Sequence, residues 1–320
     1  MNYREIKQKN YQKTNIVIVF YILLFLSIGL LGETISSSFD IKNQVNLIDA
    51  MLITFNKIKE GKYIPVFTIV MLCIAFLIIF ISIKFGNKIL LSGSQYIKLN
   101  DKENLSHQER MVLNIVEELV ISSRLRYMPD VYIVNEDYMN AFASGWKEQN
   151  SLVAITKGLL NKLNRAEIEA VMAHEITHIK NADVRLTLLV GVLTNVMVYA
   201  VDFIYYSTIR GASNNKAMRQ ARIVILALKF LLPLLTIVMQ MYISRKREFL
   251  ADAGSVEFTG NADAMISALK KISNDYEDND YDLEKTENQT RKFANFFDYK
   301  SLLSTHPPIK KRIENLLGVN

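Results

Sequence analysis

The residues with the clearest capacity for chemistry are His174, Glu175 and His178, which form an H-E-x-x-H motif. On a helix, side chains four positions apart lie on one face, so both imidazoles can bind the same metal ion. Glu175 lies beside them and can act as the general base that takes a proton from an attacking water. The motif therefore predicts a zinc hydrolase. The alternative is that the histidines are ordinary core or surface residues, so a third ligand has to be sought.

The sequence around the motif predicts an uninterrupted helix. Asn164 and Glu167 have the spacing of a capping box at its start, and apolar residues then recur at helical intervals as far as Ile179. No proline or glycine occurs between residues 166 and 180. The two histidines are therefore expected to keep the register that metal binding requires.

Glu248 is the best candidate for the third protein ligand that a catalytic zinc ion needs. It lies in the segment 244–252, where Glu248 and Asp252 are four positions apart on one face of a predicted helix. Metal-bound histidines usually donate their second ring N–H to a carboxylate or carbonyl, and Asp252 is placed to orient His174 in this way. The alternative is an ordinary charged helix start with both carboxylates in solvent.

Long apolar segments predict that the protein is integral to a membrane. Half of the 320 residues are hydrophobic, and residues 16–31 and 64–83 are almost free of polar groups. Two further segments, 186–201 and 223–243, are long but carry or adjoin polar residues. About 20 apolar residues are needed to cross a bilayer. We therefore expect a mainly α-helical chain with about four transmembrane helices.

These segments divide the chain into four predicted parts. Residues 1–85 are a membrane anchor with two spans, and 86–183 are a soluble region that ends with the zinc-binding helix. Residues 184–243 form a membrane hairpin, and 244–320 complete the catalytic domain with the third ligand. Because a hairpin returns the chain to the side that it left, both halves of the metal site emerge at one membrane face. The alternative, that both segments pack without crossing, leaves the ligands equally close.

Within the soluble region, residues 130–134 and 151–155 predict short strands, with 140–145 between them. An exposed strand edge beside a zinc site can hold a peptide by main-chain hydrogen bonds. Residues 275–287 contain seven acidic residues and few apolar ones, so we expect a mobile insert there, with a lid over the site as the lesser alternative.

The charge and cysteine content indicate where in the cell the protein lies and what it contacts. The formal charge of +6 and the pI of about 9.1 fit a membrane surface better than nucleic acid, because the basic residues cluster beside the spans. About a dozen Lys and Arg lie near span ends on the side of both termini and about eight on the other, which predicts a cytoplasmic catalytic side. The single Cys73 excludes an intramolecular disulfide. Asp202 and Lys229 would lie at similar depths in the hairpin, where they either pair or Lys229 extends alone to the headgroups.

Four motifs together resemble the HtpX-like membrane metalloproteases. They are NAFASG at 140–145, AHEITHIKNAD at 173–183, SRKREFLAD at 244–252 and STHPP at 304–308. The resemblance implies a zinc endopeptidase of the bacterial inner or plasma membrane that degrades misfolded or damaged membrane proteins. It implies a cytoplasmic thermolysin-like (gluzincin) domain with a small β-sheet. It assigns one Zn²⁺ per subunit to His174, His178 and Glu248, and catalysis to Glu175.

The same resemblance suggests roles for residues outside the metal ligands. The stretch before Ser144 matches a substrate-binding edge strand, which consists of Asn140, Ala141, Phe142 and Ala143. His306 is expected near the metal, where it regulates access or steadies the transition state. Arg312 either assists there or forms a structural salt bridge, and the salt bridge is favoured. Ser144 and Phe249 replace residues that are more often Thr and Tyr in the family.

Two other functions stay open at this point. A non-enzymatic membrane chaperone could carry a structural zinc, but such an ion prefers four protein ligands and three are evident. An enzyme like the CAAX prenyl proteases would use the same chemistry, but those enzymes have more spans. The expected partners are unfolded or membrane-protein polypeptides and the lipid bilayer, and not nucleic acid. The sequence does not indicate an oligomeric state.

Overall fold

The computed structural model describes residues 2–37, 45–91, 95–210, 216–279 and 307–318. In these ranges the chain is mostly helical with one small sheet, which confirms the expected mainly α-helical class. The helices are α1 (Tyr3–Ser37), α2 (Leu47–Lys59), α3 (Val66–Leu91), α4 (His107–Ser123), α5 (Lys157–Lys162), α6 (Arg165–Asn181), α7 (Val184–Arg210), α8 (Lys216–Thr259), α9 (Ala262–Asp278) and α10 (Ile309–Leu316). The strands are β1 (Tyr96–Lys98), β2 (Asp130–Val134), β3 (Ala141–Ser144) and β4 (Leu152–Thr156).

The four strands form a mixed sheet in the order β1-β2-β4-β3. β2 and β4 are parallel, and the other two pairings are antiparallel. The strands predicted at 130–134 and 151–155 are confirmed. β1 was not predicted, because it has only three residues and Tyr96 and Ile97 are exposed, so no buried alternation marks it. β3 lies at one end of the sheet order, and β4 is its one partner strand in the described chain.

The helix that carries the H-E-x-x-H motif is α6, and it starts at the predicted capping box. Asn164 Oδ1 accepts a hydrogen bond from Glu167 N at 3.0 Å, and Glu167 Oε2 accepts one from Asn164 N at 2.8 Å. These bonds satisfy two backbone N–H groups that a helix start leaves without intrahelical partners. α6 packs between α4, α9 and β3. Its position inside the main apolar core explains why its apolar residues from Ile168 to Ile179 are buried.

The chain divides into two compact units. The first contains residues 1–14, 83–188 and 239–320, and so holds the sheet and α6. The second contains residues 15–82 and 189–238. The four-part division expected from the sequence stays a prediction.

Among the residues that the structure describes, two helical stretches are long and apolar enough to cross a membrane by length and composition, Tyr3–Ser37 and Val66–Lys88. The first contains the predicted span 16–31, and the second overlaps all but the first two residues of the predicted span 64–83. Among the described residues a shorter apolar stretch, Val196–Tyr206, lies in α7. The predicted third and fourth spans fall within the continuous helices α7 and α8, where many side chains lie outside the description. Their crossing of the bilayer stays a prediction.

Of the two alternatives for Asp202 and Lys229, the structure contains the pairing, within the second unit. Lys229 Nζ lies 2.7 Å from Asp202 Oδ1. The ammonium also lies over the ring of Tyr205, 4.7 Å from its centroid. The pair neutralises two charges on helices that are otherwise rich in apolar residues.

The expected mobile insert at 275–287 is wrong for its first residues. Residues 275–278 form the end of α9, and Asp275 pairs with Lys162 of α5. Tyr276 is buried and its hydroxyl donates to Met139 O at 3.1 Å. Tyr276 lies four residues after the buried Ile272, so it extends the apolar face of α9 despite the acidic neighbours. Residues 280–287 lie outside the described residues.

Glu167 links the start of α6 to α9. Its carboxylate accepts hydrogen bonds from Ser267 and Lys271 of α9 at 2.7 and 2.8 Å. Burial by itself raises the pKa of Glu167, but the bonds from Lys271, Ser267 and Asn164 outweigh it and lower the pKa below 4.5. A lowered folded-state pKa contributes stability that is present above the unfolded pKa and is lost as the pH falls through the folded pKa.

We predict that Glu167→Gln lowers the free energy of unfolding by about 1–3 kcal/mol at neutral pH, because charged hydrogen bonds are replaced by neutral ones. The difference from the parent should shrink as the pH falls below about 4.5, where the unfolded carboxyl becomes protonated. Thermal unfolding of the detergent-solubilised protein at several pH values measures it. The exposed Glu103→Gln is the control, and a destabilisation of Glu167→Gln that does not change with pH would contradict the account.

Candidate metal centre

His174 and His178 lie one turn apart on α6 and point to a common position. Their Nε2 atoms are 3.1 Å apart. His174 is fully buried, and the side chain of His178 is 15% exposed. The capping box and the core contacts of α6 hold the helical register that brings the two rings together.

Glu248 on α8 completes the group, although it is 70 residues away from His178 in the sequence. Its Oε2 lies 3.5 Å from His174 Nε2, and its Oε1 lies 3.6 Å from His178 Nε2. The carboxylate is buried. The three side chains can each offer one ligand atom, and these atoms all lie within 4.8 Å of one another.

The approach of α8 to α6 depends on small residues. Gly254 faces the side chain of Thr177 so closely that a Cβ at this position would overlap it. One residue later, Ser255 Oγ donates to Ala170 O at 2.6 Å. A larger residue at 254 would force the helices apart, and Glu248 lies less than two turns away on the same helix.

The group fits a tetrahedral zinc ion. Zn–N and Zn–O bonds of 2.0–2.2 Å place neighbouring ligand atoms roughly 3.3–3.5 Å apart. The two Nε2 atoms are 3.1 Å apart, and the Glu248 carboxylate approaches them to 3.5 Å through Oε2 and to 3.6 Å through Oε1. Two imidazoles and one carboxylate are also a donor set of catalytic zinc sites, which keep the fourth position for water or substrate.

The second nitrogen of each imidazole faces a buried carboxylate. His174 Nδ1 lies 2.9 Å from Asp252 Oδ1, and His178 Nδ1 lies 3.0 Å from Asp183 Oδ1. When each Nδ1–H donates to its carboxylate, the lone pair of Nε2 is directed at the metal position. The structure thus brings Asp252 to His174, and it gives His178 an equivalent partner in Asp183.

Residues 106–320 match the profile of Peptidase family M48. The chain belongs to peptidase family M48. Among its relatives, the "Protease HtpX homolog" of Helicobacter acinonychis (strain Sheeba) is 40% identical over 99% of this chain and 98% of its own length. The "Protease HtpX homolog" of Helicobacter pylori (strain J99 / ATCC 700824) is 40% identical over 98% of each chain. A weaker structural similarity, with a TM-score of 0.47 at 17% identity, relates 78% of this chain to 58% of S. mikatae Ste24p.

Membership of the M48 family implies a metal, and the buried side chains around His174 form an ionic network suited to one. Arg312 of α10 is fully buried and donates to both oxygens of Asp252, from Nε at 2.9 Å and from Nη2 at 2.6 Å. Its Nη1 lies 3.8 Å from Glu248 Oε2. The salt bridge favoured for Arg312 is thus present. His306, which the sequence places near the metal, lies outside the described residues.

The network also sets the pKa values of this M48 site. Burial by itself lowers the pKa of His174 and His178, but neighbouring carboxylates outweigh it and raise both, that of His178 to about 9. Burial alone raises the pKa of Asp252, whereas the charge of Arg312 and hydrogen bonds from His174 and Arg312 lower it. Asp252 therefore stays ionised, and a metal must displace protons from the histidines when it binds.

Asp183 is the site residue that sequence reasoning missed. α6 ends at Asn181, and the next residue, Ala182, has the left-handed conformation with φ of 55°. This turn folds Asp183 back onto the last turn of the helix. Asp183 N donates to His178 O at 3.3 Å, and Arg247 Nη1 donates to Asp183 O at 2.6 Å. Such a turn usually carries Gly or Asn, so the alanine gave no signal of it.

The remaining predicted residues lie on and beside α6. Glu175 follows His174 and is buried. Ala141, Phe142 and Ala143 belong to β3, and Asn140 immediately precedes it. Asn140 is buried, and its backbone N donates to Thr156 Oγ1 at 2.9 Å. α6 packs against β3, so the end strand of the sheet lies beside the helix that carries the two histidines.

We predict that Asp183→Asn weakens zinc affinity about 10–100-fold, because the imidazole of His178 loses the carboxylate that orients it. Competition with a chromophoric chelator at fixed pH measures the change. The matched control is Asp137→Asn, at an exposed position after β2. Parental affinity in the Asp183 variant would mean that this carboxylate does not orient the ligand.

Proposed function

We propose that the chain is a membrane-anchored zinc endopeptidase that degrades misfolded or damaged membrane proteins. The observation that carries the proposal is the convergence of His174, His178 and Glu248 next to Glu175 in a member of peptidase family M48. Relatives named HtpX protease that match nearly the whole chain support the same function.

In the proposed site, His174, His178 and Glu248 hold one Zn²⁺ per subunit. When bound, zinc supplies a Lewis acid for the scissile carbonyl and its developing negative charge, and it makes water acidic enough to attack near neutral pH. Asp252 and Asp183 keep the two imidazoles in the tautomer that directs Nε2 to the metal.

Glu175 performs the proton transfers. It is the residue after His174, so its carboxylate belongs to the same turn of α6 as the proposed ligands. It takes a proton from the attacking water and then passes it to the leaving amine. Arg312 does not move protons in this scheme, because it is always charged; it holds Asp252 ionised and in place.

The proposed peptide-binding element is β3 with the residue before it. An extended substrate would pair with the backbone of Ala141, Phe142 and Ala143, and Asn140 would hold it near the reacting bond. Main-chain pairing constrains the shape of a substrate more than its sequence, which suits unfolded polypeptides. We retain His306 as a residue that would steady the transition state or regulate access, on the strength of the family resemblance.

The proposed setting is the bacterial inner or plasma membrane, with four spans and the active site in the cytoplasm. The apolar stretches of α1 and α3 support two spans. The 27 residues of α7 and the 44 residues of α8 are long enough to cover the other two. The excess of basic residues on the side of the termini supports the orientation.

The two alternatives are not favoured. A structural zinc would not require an acid next to His174, and the group of metal-ligating side chains in the described residues has three members instead of four. A prenyl protease is not favoured because the relatives that cover nearly the whole chain are named HtpX homologues.

The decisive variant is Glu175→Gln. It should bind zinc like the parent but lose proteolysis of a loosely folded protein by on the order of 10²–10⁴-fold, because the general base is removed while the ligands remain. Glu169→Gln, on the same helix, is the matched control. Normal turnover by the Glu175 variant would refute the role, and loss of its zinc would reassign Glu175 as a ligand.

A further inference from the structure

Helix α2, which lies in the chain between α1 and α3, carries an exposed apolar stripe. Ile48, Met51, Leu52 and Phe55 are between 38% and 70% exposed. Their spacing of i, i+3, i+4 and i+7 gathers them into an arc of about 100° around the helix axis. Four large apolar side chains on a helix of 13 residues form a face that nothing in the described part of the second unit covers.

A second face of α2, roughly 120° around the helix axis from the stripe, is packed into the second unit. Leu47, Ala50 and Thr54 are buried. Thr54 and Ser37 share a hydrogen bond of 2.7 Å between their hydroxyls, and Ser37 is the last residue of α1. Leu47 N donates to Gln220 Oε1 at 2.7 Å. α2 therefore presents its stripe outwards while its other face is held by polar contacts.

A third contact holds the residues after α2 near the end of α1. Tyr63, which follows α2, donates from its hydroxyl to Glu33 Oε2 at 2.8 Å, and Glu33 Oε1 accepts from Thr68 N in the first turn of α3. Glu33 and Ser37 are one helical turn apart, roughly 6 Å along α1. Thr54 in α2 and Tyr63 after it thus contact α1 within one turn of each other, near the C-terminal end of α1.

That end of α1 is where it leaves its apolar stretch. Glu33 and Ser37 lie two and six residues after the predicted span 16–31, and Tyr63 and Thr68 lie just before and just inside the start of the span 64–83. A helix held between the ends of two spans lies at the boundary between hydrocarbon and water. There an exposed apolar stripe is expected to face lipid.

Charge on α2 agrees with this location. Lys57 and Lys59 lie in its last turn. Basic residues next to an apolar face attract anionic lipid headgroups, and lysine stems extend readily towards them.

We propose that α2 is an in-plane anchor whose stripe of Ile48, Met51, Leu52 and Phe55 rests on the lipid of the bilayer interface. The inference requires α1 and α3 to lie in the membrane, and it does not depend on the catalytic role of the metal centre. It assigns the lipid bilayer as the partner of a surface that would otherwise be an exposed apolar patch in water.

Single-cysteine labelling tests the proposal. In a Cys73→Ser background, Leu52→Cys and Phe55→Cys place an environment-sensitive fluorophore on the stripe, and Asn56→Cys places it on the exposed polar side as a matched control. The full chain is reconstituted in vesicles of phosphatidylethanolamine and phosphatidylglycerol. Labels at 52 and 55 should be quenched by nitroxide lipids and shielded severalfold from aqueous iodide compared with the label at 56.

Three results would overturn the proposal. Equal iodide quenching at 52, 55 and 56 would place the stripe in water. Shielding without quenching by nitroxide lipids would mean that protein covers it. Shielding that disappears when the protein is diluted in excess lipid would identify a second copy as the partner. Zinc affinity equal to that of the parent shows that each labelled variant is folded. Agreement between the labels at 52 and 55 excludes a local distortion at one of the two positions.

Discussion

Glu248 and Asp252 reach His174 only because α8 packs directly on α6. Gly254 permits this contact, and Ser255 ties it to the backbone of α6 at Ala170 O. One helix thereby supplies both a ligand carboxylate, 3.5 Å from His174 Nε2, and an orienting carboxylate, 2.9 Å from its Nδ1. A small displacement between the two helices would disturb both contacts together. The packing of α8 on α6 therefore determines the geometry of the metal site.

The charges around this contact explain why the site needs a cation. Glu175, Asp183, Glu248 and Asp252 are all buried, and Arg312 is the fully buried cation among the described residues. Uncompensated buried charges cost several kcal/mol each, so protons on the histidines or a divalent ion must supply the remaining positive charge. When the metal ion binds, it replaces the protons on the histidines. It thereby links α6 and α8 to α10, whose Arg312 holds Asp252.

Local patterns in the sequence accounted for much of this arrangement. The capping box at Asn164 and the strand at 130–134 follow from short-range rules, and the structure contains both. What sequence could not reveal depends on tertiary contacts. The left-handed turn at Ala182 has no marker residue, the burial of Tyr276 overrides an acidic neighbourhood, and β1 is too short for a periodic signal. The grouping of His174 with a residue on α8 was inferred from spacing and chemistry, and the structure adds the distances and the partner of His178.

X-ray absorption at the zinc edge tests the central claim most directly, because it reports the atoms around the metal independently of activity. The account predicts a four-coordinate ion with two imidazole nitrogens at about 2.0–2.1 Å, oxygen in the remaining positions and no sulfur. Glu248→Ala should change the oxygen shell and keep both imidazoles. A shell with one imidazole or none, or a spectrum that is identical in the parent and in Glu248→Ala, would contradict the account.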